Sequence, residues 1–262
     1  MIDTANPHRL PRTVLPRRYD LHLTPDLPAA TFSGTVDIDV DVHEATAEVV
    51  LNAIELEVQD ASIGQGGIRH PATVRFDSET ERVTLVLDTP LAVGPAVVSL
   101  TFTGILNDKL RGFYRSTFTD EGGVERVIAT TQFEATDARR AFPCWDEPDC
   151  KATFLITLHI EPGLVAVSNG AVLDESTAGG RTTVRFAETM AMSTYLVAFV
   201  VGPLEATPAV DVDGIPLRIV HASLSPGYSP PAEFGDLRAR SRIEAVLAAA
   251  VVASRLSAPG VD

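Results

Sequence analysis

The chain has 262 residues, 45% of them hydrophobic and 21% charged, a balance that excludes an intrinsically disordered, collagen-like or low-complexity protein and leaves ample length for a buried core. Thirty-five Asp and Glu against 21 Lys and Arg give a formal net charge of −14, a field that repels phosphate backbones and anionic lipid, so nucleic acid is not an expected partner. The longest uninterrupted apolar run, 245–253, falls far short of the roughly 20 residues a spanning helix requires, so no membrane partner is expected either.

In chain order, the first twenty residues hold three prolines and four arginines but no apolar core of a secretory signal. Cys144 and Cys150 are the only cysteines and no asparagine begins an N-x-[ST] acceptor, so the expected setting is a reducing cytoplasm, with two buried thiols rather than a bridge. From Tyr19 to about Leu204 apolar and polar residues alternate, broken every ten or so residues by Gly, Pro, Asn or Asp. The clearest case is 35–42, with Val36, Ile38, Val40 and Val42 on one face and Thr35, Asp37, Asp39 and Asp41 on the other. Further strands are predicted at 47–53, 55–63, 73–76, 82–87, 96–104, 124–134, 152–160, 182–186 and 194–201. So many short strands with turns between them predict an all-β fold of two stacked antiparallel sheets. This organisation predicts a sandwich domain over 1–205 and a second unit beginning at 206–222, with a short strand at 215–220. Residues 223–262 are read as a linker followed by an amphipathic helix, because Ile243, Val246, Leu247, Ala250 and Val251 recur at helical spacing.

Several chemistries fail at the level of spacing. A zinc hydrolase helix needs two histidines one turn apart with a glutamate between them, and the only His-Glu pair, His43-Glu44, has no second histidine. The six histidines, at 8, 22, 43, 70, 159 and 221, are scattered and read as isolated surface or packed residues. Gly64-Gln65-Gly66-Gly67 lacks the Lys-Ser/Thr of a phosphate loop and reads as a hairpin turn. No G-x-S-x-G elbow is present. Asp146 and Glu147 are neighbours on an extended chain and face opposite ways, so they read as a proline-terminated turn rather than an acid/base pair.

The informative segment is 130–148, where polar, charged and aromatic residues, including the single Trp, follow an apolar strand. Strand alternation would bring Gln132 and Glu134 out on one face and Phe133 on the other, setting an amide beside a carboxylate at a strand's end. Two readings of these residues stand together. The pair accepts hydrogen bonds from a cationic amine, or Glu134 or Asp137 is consumed in an ion pair with Arg139 or Arg140.

TTQFEATDARRAFPCWDEPDCKATF, at 130–154, resembles the hallmark of the N-terminal domain of the M1 family of zinc aminopeptidases. LPRTVLPRRYDLHLTPDL, FSGTVDIDV, LNAIELEV, DKLRGFYRS, VSNG and MSTYLVAFVVGPLE support it in order, so the resemblance covers about residues 8–222. It implies a saddle-shaped antiparallel β-sandwich that packs over a thermolysin-like catalytic domain, with Glu134 holding the substrate's α-ammonium and Gln132 lining the S1 subsite. The family's G-x-M-E-N segment and H-E-x-x-H pair are missing from these 262 residues. The expectation is therefore recognition of a peptide N-terminus without catalytic or metal-binding residues, with zinc belonging to the catalytic domain of the full-length family and no activity for this chain by itself. The alternatives are a standalone sandwich that binds a partner protein through an uncovered apolar face, and a degraded gene product.

Overall fold

A computed structural model of the chain describes residues 9–120, 122–212 and 215–222. The predicted C-terminal helix lies outside these residues. Strands β1 (Val14–Asp26) and β2 (Thr31–Val42) form a long antiparallel hairpin in which Asp26 pairs with Thr31 and Val14 with Val42. Along β2 the burial alternates as its sequence demands: Val36, Ile38, Val40 and Val42 are buried, and Thr35 and Asp37 are exposed. Strands β3 (Thr46–Asn52), β4 (Leu56–Gln65), β5 (Ile68–Pro71), β6 (Thr73–Asp77), β7 (Arg82–Leu91) and β8 (Gly94–Ile105) follow. The glycine-rich turn closes the β4–β5 hairpin with Gln65 opposite Ile68, and Gly66 and Gly67 both take the positive φ such a turn needs. Strands β9 (Gly112–Thr119), β10 (Glu125–Gln132), β11 (Thr153–Ile160), β12 (Val165–Ser168), β13 (Val172–Ala178), β14 (Arg181–Phe186) and β15 (Phe199–Gly202) complete the larger sheets. Short strands β16 (Leu204–Ala206) and β19 (Val220–Ala222) pair with each other, as do β17 (Val210–Val212) and β18 (Ile215–Leu217).

The protein is all-β, but its strands form several sheets rather than two. An eight-stranded sheet runs β13-β14-β11-β1-β2-β8-β4-β5, a four-stranded sheet runs β12-β15-β10-β9, and a three-stranded sheet runs β3-β7-β6. Pairing is not wholly antiparallel either. β1 and β11 run parallel, Arg18 opposite Thr153 through Leu23 opposite Leu158. These two strands lie more than a hundred residues apart in the chain, beyond the reach of any hairpin signal. One buried apolar cluster draws on all three larger sheets; Phe32 of the first meets Phe113 of the second edge to face at 5.2 Å, and Phe113 meets Phe199 within the second at 4.8 Å. Between β2 and β8 each aromatic ring lies over a glycine of the other strand: a Cβ on Gly34 would sit 2.7 Å from Phe102, and one on Gly104 would sit 2.4 Å from Phe32.

Three predicted strands differ from expectation: the one predicted at 215–220 is broken into β18, which ends at Leu217, and β19, which begins at Val220, and the other two lie near the informative segment. The strand predicted at 124–134 ends at Gln132, where the chain turns and Asp137 N–H donates to the Phe133 carbonyl at 2.9 Å. The strand predicted at 194–201 begins as a 3-10 turn over Thr194–Leu196 and becomes β15 only at Phe199. Side chains cause this: Asn169 holds Leu196 O and Ala198 N–H, and Thr194 Oγ1 donates to Asp146 at 2.6 Å.

Candidate amine-recognition site

Phe133 fixes the orientation of the candidate pair. Its ring is buried edge to face against Phe142 and Phe199 at about 6 Å, so the residues on either side must turn outward. Gln132 is half-buried at the end of β10, and its amide Nε2 donates to the backbone carbonyl of Glu134 at 3.4 Å. Glu134 is exposed in the turn that follows, and the Glu134–Ala135 peptide is cis. Its carboxylate makes no hydrogen bond or ion pair among the described residues, whereas both neighbouring arginines are ion-paired elsewhere.

Arg139 reaches Glu81 and Asp146, each at 3.0 Å, and Arg140 reaches Asp137 at 2.6 Å and Glu55 at 2.8 Å. Of the two carboxylates offered as partners in the ion-pair reading, Asp137 is therefore taken and Glu134 is not. Burial pulls the Arg140 guanidinium down, but hydrogen bonds to Asp137 and Glu55 outweigh it and leave its pKa above the ordinary value. Gly112 gives this side chain room: its φ is +69°, and a Cβ there would lie 2.7 Å from Arg140 Cβ.

Asp146 and Glu147, read from sequence as a turn, are both buried anchors. Asp146 accepts from Arg139 Nε and Thr194 Oγ1, and its own N–H donates to Asn52 Oδ1 at 3.2 Å. Asn52 and Cys144 exchange backbone hydrogen bonds at 2.7 and 3.1 Å, and Trp145 N–H donates to Tyr19 Oη at 3.1 Å. Glu147 is held by Arg9 at 2.9 Å, Arg12 at 2.7 Å and the Leu10 N–H. Sequence reasoning missed these anchors; the available signal was a run of paired opposite charges, Arg139-Arg140 and Asp146-Glu147, inside an otherwise apolar stretch.

Cys144 and Cys150 are free and buried, as expected. Burial pushes the Cys144 thiol well up and raises that of Cys150 to about 11. Glu147, Asp149 and Cys150 place ligand atoms within 4.8 Å of one another, yet the Arg12 guanidinium contacts all three and already supplies the positive charge there. That donor set does not fit a catalytic zinc. Two surface concavities, of about 520 and 650 Å³, are lined by other residues and include neither Gln132 nor Glu134.

A family model described as the peptidase M1 N-terminal domain matches residues 15–196. Aminopeptidase M1 of Arabidopsis thaliana is 46% identical over 217 residues, covering 80% of this chain and 24% of the plant protein. The puromycin-sensitive aminopeptidase of Caenorhabditis elegans is 41% identical, covering 80% and 23%. Mitochondrial aminopeptidase 2 of Saccharomyces cerevisiae is 37% identical, covering 91% and 25%. A match to 91% of 262 residues necessarily runs past residue 222, farther than the motifs alone reach. The chain spans about a quarter of the length of these curated relatives.

Proposed function

Because the chain belongs to the peptidase M1 N-terminal domain family, we propose that it is the amine-recognising part of a zinc aminopeptidase, with Glu134 binding the α-ammonium of a peptide and Gln132 lining the subsite for the first side chain. The observation that carries this reading is the exposed, unpaired carboxylate of Glu134, set immediately after a residue locked in the core. An exopeptidase measures its substrate from the charged end, and a carboxylate at a fixed distance from the reacting carbonyl makes binding depend on a free N-terminus. Such a carboxylate has to be free of internal cations, and Arg139 and Arg140 are tied to other acids. The anchors of 139–147 supply the rigidity that a fixed distance demands.

In this reading the sheets form the saddle-shaped sandwich that covers a catalytic domain, in a cytoplasmic setting. That domain supplies zinc, peptide-bond hydrolysis and the remaining walls of the pocket. The test is Glu134→Gln in an M1 aminopeptidase whose own segment is replaced by residues 9–222. The expected result is a fall in kcat/KM of about 10- to 150-fold, the equivalent of a charge-assisted hydrogen bond of about 1.5–3 kcal/mol, with thermal stability unchanged. Unchanged kinetics with a lowered melting temperature would overturn the proposal and make Glu134 structural.

A further inference from the structure

A second cluster lies on the outward face of the eight-stranded sheet, where the parallel pairing of β1 and β11 brings together two histidines that are 137 residues apart in sequence. His22 Nδ1 and His159 Nε2 face each other at 3.3 Å, with the rings 19° from coplanar. On the outer side, the Asp20 Oδ1 oxygen lies 3.2 Å from His22 Nε2 without the alignment of a hydrogen bond, and Thr183 Oγ1 lies 3.0 Å from His159 Nδ1. The four groups form a row across β1, β11 and β14.

The carboxylate beside Nε2 favours the tautomer with its proton on that nitrogen, which leaves His22 Nδ1 as a lone pair facing His159. The slot between the rings then holds either one proton shared as N–H···N or a cation that takes both lone pairs. A separation of 3.3 Å is long for a hydrogen bond from nitrogen, whereas two nitrogens bound to one metal at 2.0–2.1 Å in tetrahedral geometry sit about 3.3 Å apart. A carboxylate on the far nitrogen of a histidine is also the arrangement that orients histidine ligands and raises their basicity.

We infer that His22 and His159 form a surface site for a divalent transition-metal ion of the zinc type, with Asp20 and Thr183 as positioning residues and water completing the coordination. The His22 side chain is 43% exposed, so an ion reaches the pair directly from solvent, and rotation of both rings off the N···N line brings their lone pairs onto it. Asp20 and Asp37 stand on the same face and favour a cation, opposed by Arg18, Arg181 and Arg185.

The test is calorimetric titration of the full chain with zinc chloride at pH 7.5, beside His22→Gln, His159→Gln and Asp20→Asn. The expected result is one strong site, at least tenfold weaker in either histidine variant and about 10- to 100-fold weaker in Asp20→Asn, which keeps both ligands. No binding by the wild type, or binding unchanged by His22→Gln and His159→Gln, would overturn the inference and leave the pair as a proton-sharing hydrogen bond. Histidine proton resonances of the wild type decide the matter even if a variant fails to fold. Zinc shifts confined to two imidazoles, mapped to β1 and β11 by contacts with Thr183 and Asp20 neighbours, support the site, and shifts elsewhere overturn it.

Discussion

Asp146→Ala tests whether the buried ion-pair network holds the candidate recognition loop in place. The carboxylate is 1% exposed and accepts from Arg139 Nε at 3.0 Å and from Thr194 Oγ1 at 2.6 Å. Removing one partner of a buried pair costs about 3–5 kcal/mol, because the remaining charge stays desolvated. Arg139 keeps Glu81 at 3.0 Å and is itself 12% exposed, which places the expected cost at the lower end, about 3 kcal/mol. For a domain of this size that corresponds to a melting temperature lower by about 6–12 °C. Calorimetry gives the shift, and the emission of Trp145, the single tryptophan and the residue next to Asp146, reports local loosening below the transition. The double variant Arg139→Gln/Asp146→Asn should destabilise by clearly less than the sum of the two single changes. A shift below about 2 °C, or strict additivity, would refute the argument that this pair anchors the loop.

Two further expectations follow from the same geometry. With burial raising Cys150 to about 11 and holding Cys144 well above the ordinary thiol value, a thiol reagent at pH 8 should label neither cysteine in the native chain and both after denaturation, as counted by mass spectrometry; rapid native labelling would contradict the burial. Acidification should destabilise the fold in two stages. His159 has its folded pKa lowered, so the unfolded chain binds the proton more readily and stability falls as pH drops below the ordinary histidine value. Glu188, lowered mainly by the Thr153 hydrogen bond and then by Arg18, contributes stability above the ordinary glutamate value that is lost as pH falls through its folded pKa. Melting temperature measured from pH 8 to 3 should step down in both windows, and His159→Gln should flatten the upper one.

What could be read from the sequence, and what could not, divides along the range of the interactions involved. β2 is legible because every second residue of 35–42 carries the same message, and a one-residue slip would expose four aliphatic side chains. The β4–β5 hairpin is legible because Gly66 and Gly67 announce the backbone conformation they adopt. The pairing of β1 with β11 is not, since nothing in either strand names a partner more than a hundred residues away. Nor is the replacement of the expected strand start at Thr194 by a 3-10 turn, which depends on Asn169 and Asp146 arriving from elsewhere.

At the candidate site the same division governs how much the sequence could say of Glu134. Phe133 is buried and Glu134 is exposed, as expected, but β10 ends at Gln132, so the turn after it and not alternation along a strand sets the direction of Glu134. Whether Glu134 is spent on an arginine is a question about Glu55 and Glu81, which lie on other segments and compete for the same cations. Both acids win: Glu81 holds Arg139, and Glu55, with Asp137, holds Arg140. Those distant acids are what leave one carboxylate in this arginine-rich turn without a partner. That exposed, unpaired carboxylate is what the proposed amine recognition rests on, and Glu134→Gln asks whether it meets a substrate amine.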